Sequence, residues 1–159
     1  MAEPSPEVVD NPELHLAVVR ATVSGDKLPE LFDRGFPLVF AALGRAGIAP
    51  VSAPLGVMHG EPTNEFDISV AVPVADPFAG DGEVRAETIP AGRAARLLVR
   101  GDYEGLGEAY GRLYGWIAAQ GFVPTGLAWE EYLTEPEPGG DPAQNETMIW
   151  VQVAEARAA

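Results

Sequence analysis

The sequence predicts an α+β fold: two strand-helix-strand-strand (SHS2) modules related by a pseudo-two-fold axis, with an antiparallel sheet, two main helices and a central ligand groove. Three observations point to it. The same order of periodic segments occurs twice, on either side of a Pro/Gly/Asp linker at residues 76–82. Gly47-Ile48-Ala49-Pro50 is echoed by Gly121-Phe122-Val123-Pro124, and each closes a helix pattern and opens a strand pattern. At 159 residues the chain has room for one domain built from two small halves packed closely together. The expected boundaries are a flexible tail over 1–11, a first half over 12–75 and a second over 83–154.

In chain order, the valine-rich run 14–23 reads as the first strand, extended back to Val8, and Ser24-Gly25-Asp26 turns the chain. Leu28, Leu31, Phe32, Phe36, Val39, Phe40 and Leu43 then recur at helical spacing. Pro37 lacks the N–H that would bond to Asp33, which predicts a kink or two short helices ending at Gly47. Residues 53–59 and 66–74 read as a hairpin turning at 60–64, and Pro73 marks the end of its second strand. After the linker, strand material over 83–99 is broken near Pro90.

The second helix is the most informative stretch. Tyr103, Leu106, Tyr110, Leu113, Tyr114 and Ile117 share one side, which is therefore the buried one, while Glu104, Glu108, Arg112 and Gln120 face solvent. Asp102 fits the N-cap and Gly121 the position just past the C-terminus. Gly107, Gly111 and Gly115 form a small-residue stripe that costs about 1 kcal/mol per glycine, so a close approach there, across the groove or by the sheet, is expected. Two strands, 127–134 and 147–153, complete the half, joined by a Pro- and Gly-rich surface loop over 135–145.

Composition removes several classes of function. There are 24 acidic and 10 basic residues, a formal charge of −14 and no basic run, so a nucleic-acid surface is excluded as a direct partner. Most of that charge is read as a solvated surface, and cationic or neutral partners are the ones it accommodates. Cysteine is absent, which removes disulfides, thiolate catalysis and Cys-ligated metals. The acidic, Pro-containing start has no secretory character and no apolar run is long enough to span a bilayer, so a cytoplasmic protein without a membrane partner is expected. His15 and His59 are too few for a usual metal site, and His59-x-Glu61 offers two candidate ligands only, so neither metal nor cofactor is expected. Ser5, Ser24, Ser52 and Ser69 sit in no nucleophile elbow, and there is no phosphate-binding loop.

The chemistry left is aromatic and carboxylate. Glu130 and Glu131 are adjacent in a strand and point to opposite faces; Ala128 and Tyr132 share the parity of Glu130, and Leu127, Trp129 and Leu133 that of Glu131. Periodicity does not choose between the two carboxylates, although a site needing space beside an aromatic favours the first set. Carrying the Pro50/Pro124 alignment forward sets Gly56 against Glu130 and Met58 against Tyr132, so one half offers a carboxylate and a phenol and the other offers space. Tyr110, Tyr114, Trp116 and Trp150 can present π faces to planar or cationic molecules, or serve as core.

Gly101-Asp102-Tyr103-Glu104-Gly105-Leu106, the helix end Trp116-Ile117-Ala118-Ala119-Gln120-Gly121 and Trp129-Glu130-Glu131-Tyr132-Leu133-Thr134 resemble the GyrI-like, or gyrase-inhibitory-protein-like, small-molecule-binding domain. This domain also serves as the effector-binding part of multidrug-responsive bacterial regulators. The resemblance is strong over 83–153 and weaker over 12–74, where Leu-Pro-Glu-Leu-Phe also fits. It implies an aromatic groove between two modules, with the Glu of a Glu-x-Tyr strand at its base, a pattern matched by Glu130 and Tyr132. In the regulators that Glu is implied to neutralise lipophilic cations. In a hydrolytic branch acting on reactive cyclopropane-containing natural products it is implied to assist water attack. No basic helix-turn-helix segment is present.

The expected function is a stand-alone module that captures amphipathic, cationic or planar small molecules. Glu130 is its anchor, and Tyr132, Tyr110, Phe40, Met58 and Trp150 are candidate walls. The alternative is a hydrolase with Glu130 as general base and Tyr132 positioning water or substrate. A third reading is a protein partner held by the acidic surface.

Overall fold

A computed structural model describes residues 5–60, 65–101, 105–134 and 145–155. The expected N-cap Asp102, the helix positions Tyr103 and Glu104, the hairpin turn at 61–64 and the loop over 135–144 lie outside the described residues. Among the described residues eight strands and two α-helices follow in the order β1 (Glu7–Asn11), β2 (Leu14–Ser24), α1 (Leu28–Ala46), β3 (Leu55–His59), β4 (Glu65–Val74), β5 (Arg85–Ile89), β6 (Gly92–Arg100), α2 (Leu106–Ala119), β7 (Phe122–Tyr132) and β8 (Glu146–Glu155). All the strand pairings described below are antiparallel, and the class is α+β, as the sequence predicts. The chain divides into two compact units, Pro12–Ala91 and Gly92–Ala159 with Met1–Asn11.

In the first unit the strands lie in the order β3-β4-β2-β5. Helix α1 packs on β2 and β4, and Ala17, Val19, Val72 and Val74 meet Val39, Ala42 and Leu43 in a common core. The helix is not divided into two short ones at Pro37, since α1 runs as one helix for 19 residues. Asp33 and Pro37 both lie on its exposed side, so the carbonyl that loses its bond faces water. Gly47, with φ 70°, closes the helix in the left-handed conformation that glycine adopts without a Cβ penalty.

Strand β4 also runs through Pro73, paired with Leu16. The Pro73 carbonyl accepts the Val51 N–H on the β3 side, so the missing donor falls on that side too, past the last β3–β4 pair at Leu55 and Ala71.

The second unit repeats the arrangement with the order β1-β6-β8-β7. In both units the last strand of the module lies between the first and the second, and an additional strand lines the outer side of the first. The tail expected to be flexible supplies one of these, because Glu7–Asn11 pairs with β6 residue for residue from Arg96 to Gly92. The first strand does not extend back to Val8: Pro12 and Glu13 separate β1 from β2.

Helix α2 buries Ala109, Leu113 and Ile117 against β6 and β7. Tyr114, expected on the buried side, is 42% exposed, and Ala109 takes the inward place. Strand β7 begins at Phe122, earlier than the apolar pattern suggests, because its first residues pair with the end of β8. An irregularity in register between Pro124 and Ala128 contains Gly126 at φ 104°, and beyond it the regular pairing carries Glu130 opposite Ile149.

Candidate functional site

The alternation of β7 sends Ala128, Glu130 and Tyr132 to the face that carries α2, and Trp129 and Glu131 to the other. Trp129, Glu131 and the cross-strand Trp150 then belong together. The two indoles stack with centroids 5.7 Å apart, Trp150 Nε1–H donates to Glu131 at 3.2 Å, and the Arg96 guanidinium sits 5.3 Å from the Trp150 ring. Trp150 is thus on the face opposite Glu130, where it holds the second carboxylate of the pair.

On the α2 face Glu130 is held by two phenols. Tyr110, reaching from α2, donates its O–H to Oε2 at 2.9 Å, and Tyr132, two residues along β7 on the same face, donates to Oε1 at 2.8 Å. A carboxylate with an O–H donor on each oxygen is arranged for its ionised form, since a protonated carboxyl would itself have to donate. Desolvation works the other way and dominates: it pushes the Glu130 carboxyl above the ordinary range, and the bonds from Tyr132 and Tyr110 offset this in part. The Tyr110 hydroxyl is pushed far up by burial first and then by the adjacent Glu130 charge, so it remains a neutral donor. Tyr114 continues the aromatic surface along α2, its ring stacked 6.3 Å from that of Tyr110.

Of the other residues that the sequence names, Phe40 and Met58 belong to the Pro12–Ala91 unit. Phe40 is 42% exposed on α1 and ends a row of rings, Phe32 to Phe36 at 5.7 Å and Phe36 to Phe40 at 6.4 Å. Met58 is half-buried on β3 against Leu31, Ile68 and Val70. Among the described residues the glycine stripe of α2 marks no close approach: a Cβ at Gly107, Gly111 or Gly115 would meet none of them within 4 Å. The close approach is at Gly35 of α1, where a Cβ would lie 3.1 Å from Val70.

A polar cluster in the first unit escapes sequence reasoning. The fully buried Ser69 hydroxyl donates to Glu87 Oε1 at 2.9 Å and lies 3.1 Å from His59 Nε2, which is 3.3 Å from Glu87 Oε2. Arg20 binds Asp67 through two nitrogens and lies 3.9 Å from Glu87. The serine proton is directed to the carboxylate rather than to the imidazole and the hydroxyl is inaccessible, so this is not a nucleophile with its base. A serine inside the apolar run Ile68 to Val72 is the signal that betrays it, because a buried hydroxyl needs a partner. Among the described residues no group of three or more His, Asp or Glu could hold a metal ion, and no helix is long and apolar enough to cross a membrane.

A family model described as the GyrI-like small molecule binding domain matches residues 4–154. Among solved structures, the C-terminal domain of EcmrR superposes with a TM-score of 0.83 at 21% identity, covering 96% of this chain and 99% of that one. In the EcmrR–DNA complex the match spans 59% of the EcmrR chain, so this chain corresponds to part of that one's length. SAV2435 bound to tetraphenylphosphonium gives a TM-score of 0.64 at 13% identity, with 94% of each chain covered. A hydrolase from Listeria innocua gives 0.65 at 10% identity, with 97% and 94% covered. At these identities the structural likeness speaks for the fold. A search of curated protein sequences finds no match.

Proposed function

Because the chain belongs to the GyrI-like small-molecule-binding family, we propose that it captures lipophilic cations, with Glu130 as the charge anchor and Tyr110 and Tyr132 as its supports. One observation carries the reading: a desolvated carboxylate is fixed by two phenols, and among the described residues no cationic side chain acts on it. An ion kept in such a place without a counter-charge is costly, and a bound cation removes that cost. The phenol rings add π surface suited to a delocalised charge. The tetraphenylphosphonium held by SAV2435 is a ligand of this kind.

Titration of the whole protein with tetraphenylphosphonium, followed by calorimetry, tests the assignment. The wild type binds, and Glu130→Gln weakens binding by about 2 kcal/mol, roughly 30-fold, the lower end of the loss for breaking a buried charge pair. Equal affinity of the two proteins would remove Glu130 from the role.

The second reading is hydrolysis, favoured by the raised affinity of Glu130 for a proton, which suits a general base, and by the likeness to the Listeria innocua hydrolase. It requires a water-added product from an electrophilic cyclopropane substrate that disappears in Glu130→Gln. Mass spectrometry showing no such product, for substrates that do bind, would leave binding alone.

A further inference from the structure

We propose that the ligand-free Tyr110–Glu130–Tyr132 cluster holds a proton, and that the ligand, a lipophilic cation of fixed charge, enters as this proton leaves. The inference rests on the reading of Glu130 as the anchor and adds how the site is kept neutral while empty.

Among the described residues, the second unit's elements around Glu130 bring no positive charge to it. Along β7 its neighbours on the same face are Ala128 and Tyr132; across the strand pair it faces Ile149, flanked on β8 by Thr147 and Val151; beyond these, β6 presents Leu97. Helix α2 contributes Tyr110, with Tyr114 stacked on it. The charged residues of α2 between its caps, Glu108 and Arg112, are exposed. On β6, Arg96 and Arg100 lie on the opposite face and pair with Glu7 and Glu146. Arg93, nearer the far end of β6, pairs with Asp10 and Glu155. Glu131 is turned away and bonded to Trp150.

The cluster has the means to hold a proton without rearranging its heavy atoms. A phenol is both donor and acceptor. When Glu130 is protonated, one carboxyl oxygen still accepts from one tyrosine, while the new O–H donates to the oxygen of the other, whose own proton turns aside. Both short contacts, 2.9 Å to Tyr110 and 2.8 Å to Tyr132, suit either direction of donation. Desolvation, the leading influence on Glu130, favours this neutral form in the empty site.

Cation entry restores the two-donor carboxylate. The exchange is balanced: the neutral acid and the cation give an ion pair and one free proton, with no covalent bond in the ligand made or broken. It also selects the ligand. A cation whose charge does not titrate keeps its counter-charge for the carboxylate at every pH, whereas an anion meets a site that offers nothing to it.

Tetraphenylphosphonium has no ionisable proton, so any proton released on its binding comes from the protein. Calorimetry of the full chain in buffers of different ionisation enthalpy reads that release directly. Below the folded-state titration of Glu130, release approaches one proton per ligand and affinity rises about tenfold per pH unit; above it, both level off. In Glu130→Gln the slope and the release vanish. Carboxyl-carbon NMR of the ligand-free protein, with the Glu130 signal assigned by its loss in Glu130→Gln, gives a titration midpoint above the ordinary range of about 4.3.

Affinity independent of pH with no proton released, but still lost in Glu130→Gln, overturns the exchange and leaves the anchor. Failure of tetraphenylphosphonium to bind at any pH overturns the anchor, and the ligand half of the exchange with it. A Glu130 midpoint at or below the ordinary range overturns the proton-holding half on its own.

Discussion

Glu130 contributes one part of the pH dependence of stability in the ligand-free protein. Its folded-state affinity for protons is raised, with desolvation the first cause. Between the unfolded and folded titrations the native state therefore binds more protons than the unfolded chain, so stability falls as pH rises through that window and stays reduced above it. Glu130→Gln is expected to raise the melting temperature near pH 7, and the gain should disappear below about pH 4, under the ordinary range for glutamate. Thermal unfolding of both proteins across pH checks the sign. Tyr110→Phe and Tyr132→Phe each remove one donor from the carboxylate and should cost about 1–3 kcal/mol. Because both phenols serve one ion, the double variant should depart from the sum by about 0.5 kcal/mol or more in denaturant unfolding, whereas additive costs would show that they act separately. The sequence names these three residues. That two phenols reach one carboxylate, and that Trp150 instead holds Glu131, depends on which face of β7 meets α2. A pattern of period two identifies the faces of a strand without saying what covers each.

At the scale of the element, the two helices use glycine in opposite ways. Gly35 lets α1 approach the sheet, since a Cβ there would stand 3.1 Å from the branched, fully buried side chain of Val70. Gly35→Ala gains about 1 kcal/mol of helix propensity but incurs an overpacking cost of about 1–3 kcal/mol, so a net loss is expected. Gly111→Ala meets open space and should gain up to about 1 kcal/mol. Equilibrium unfolding in urea distinguishes the two directions. Sequence reasoning locates the close approach on the wrong helix, because regular spacing draws attention to 107, 111 and 115, while a single glycine on the buried face of α1 gives no periodic signal. Pro37 misleads for a related reason: its cost depends on whether the orphaned carbonyl is buried or wet, and only the packed helix reveals its exposed side. Both helix ends at Gly47 and Gly121 are legible, since a left-handed residue there is a local requirement.

For the whole molecule, the formal charge of −14 implies self-repulsion that salt relieves. Raising ionic strength from ~0.01 M to ~0.15 M shortens the screening length from about 30 Å to about 8 Å and should raise the melting temperature. The same change should slow association with tetraphenylphosphonium, which stopped-flow fluorescence can follow. A melting temperature unmoved by salt would show that the acidic residues are too dispersed or too well paired to matter. The sequence by itself determines the class, the repeated strand-helix-strand-strand order, the helix ends and the exclusion of cysteine chemistry, because each follows from local periodicity, backbone preference or composition. Tertiary structure alone decides that the N-terminal residues Glu7–Asn11 close the edge of the second unit, that β7 starts early at Phe122, and that His59, Ser69 and Glu87 meet. These depend on pairings between residues far apart in the chain, whose free energy comes from burial and hydrogen bonds that no local window contains. The cluster at Glu130 combines both kinds of information: its residues are read from the strand and helix patterns, and the upward push on its carboxyl comes from the desolvation that packing imposes.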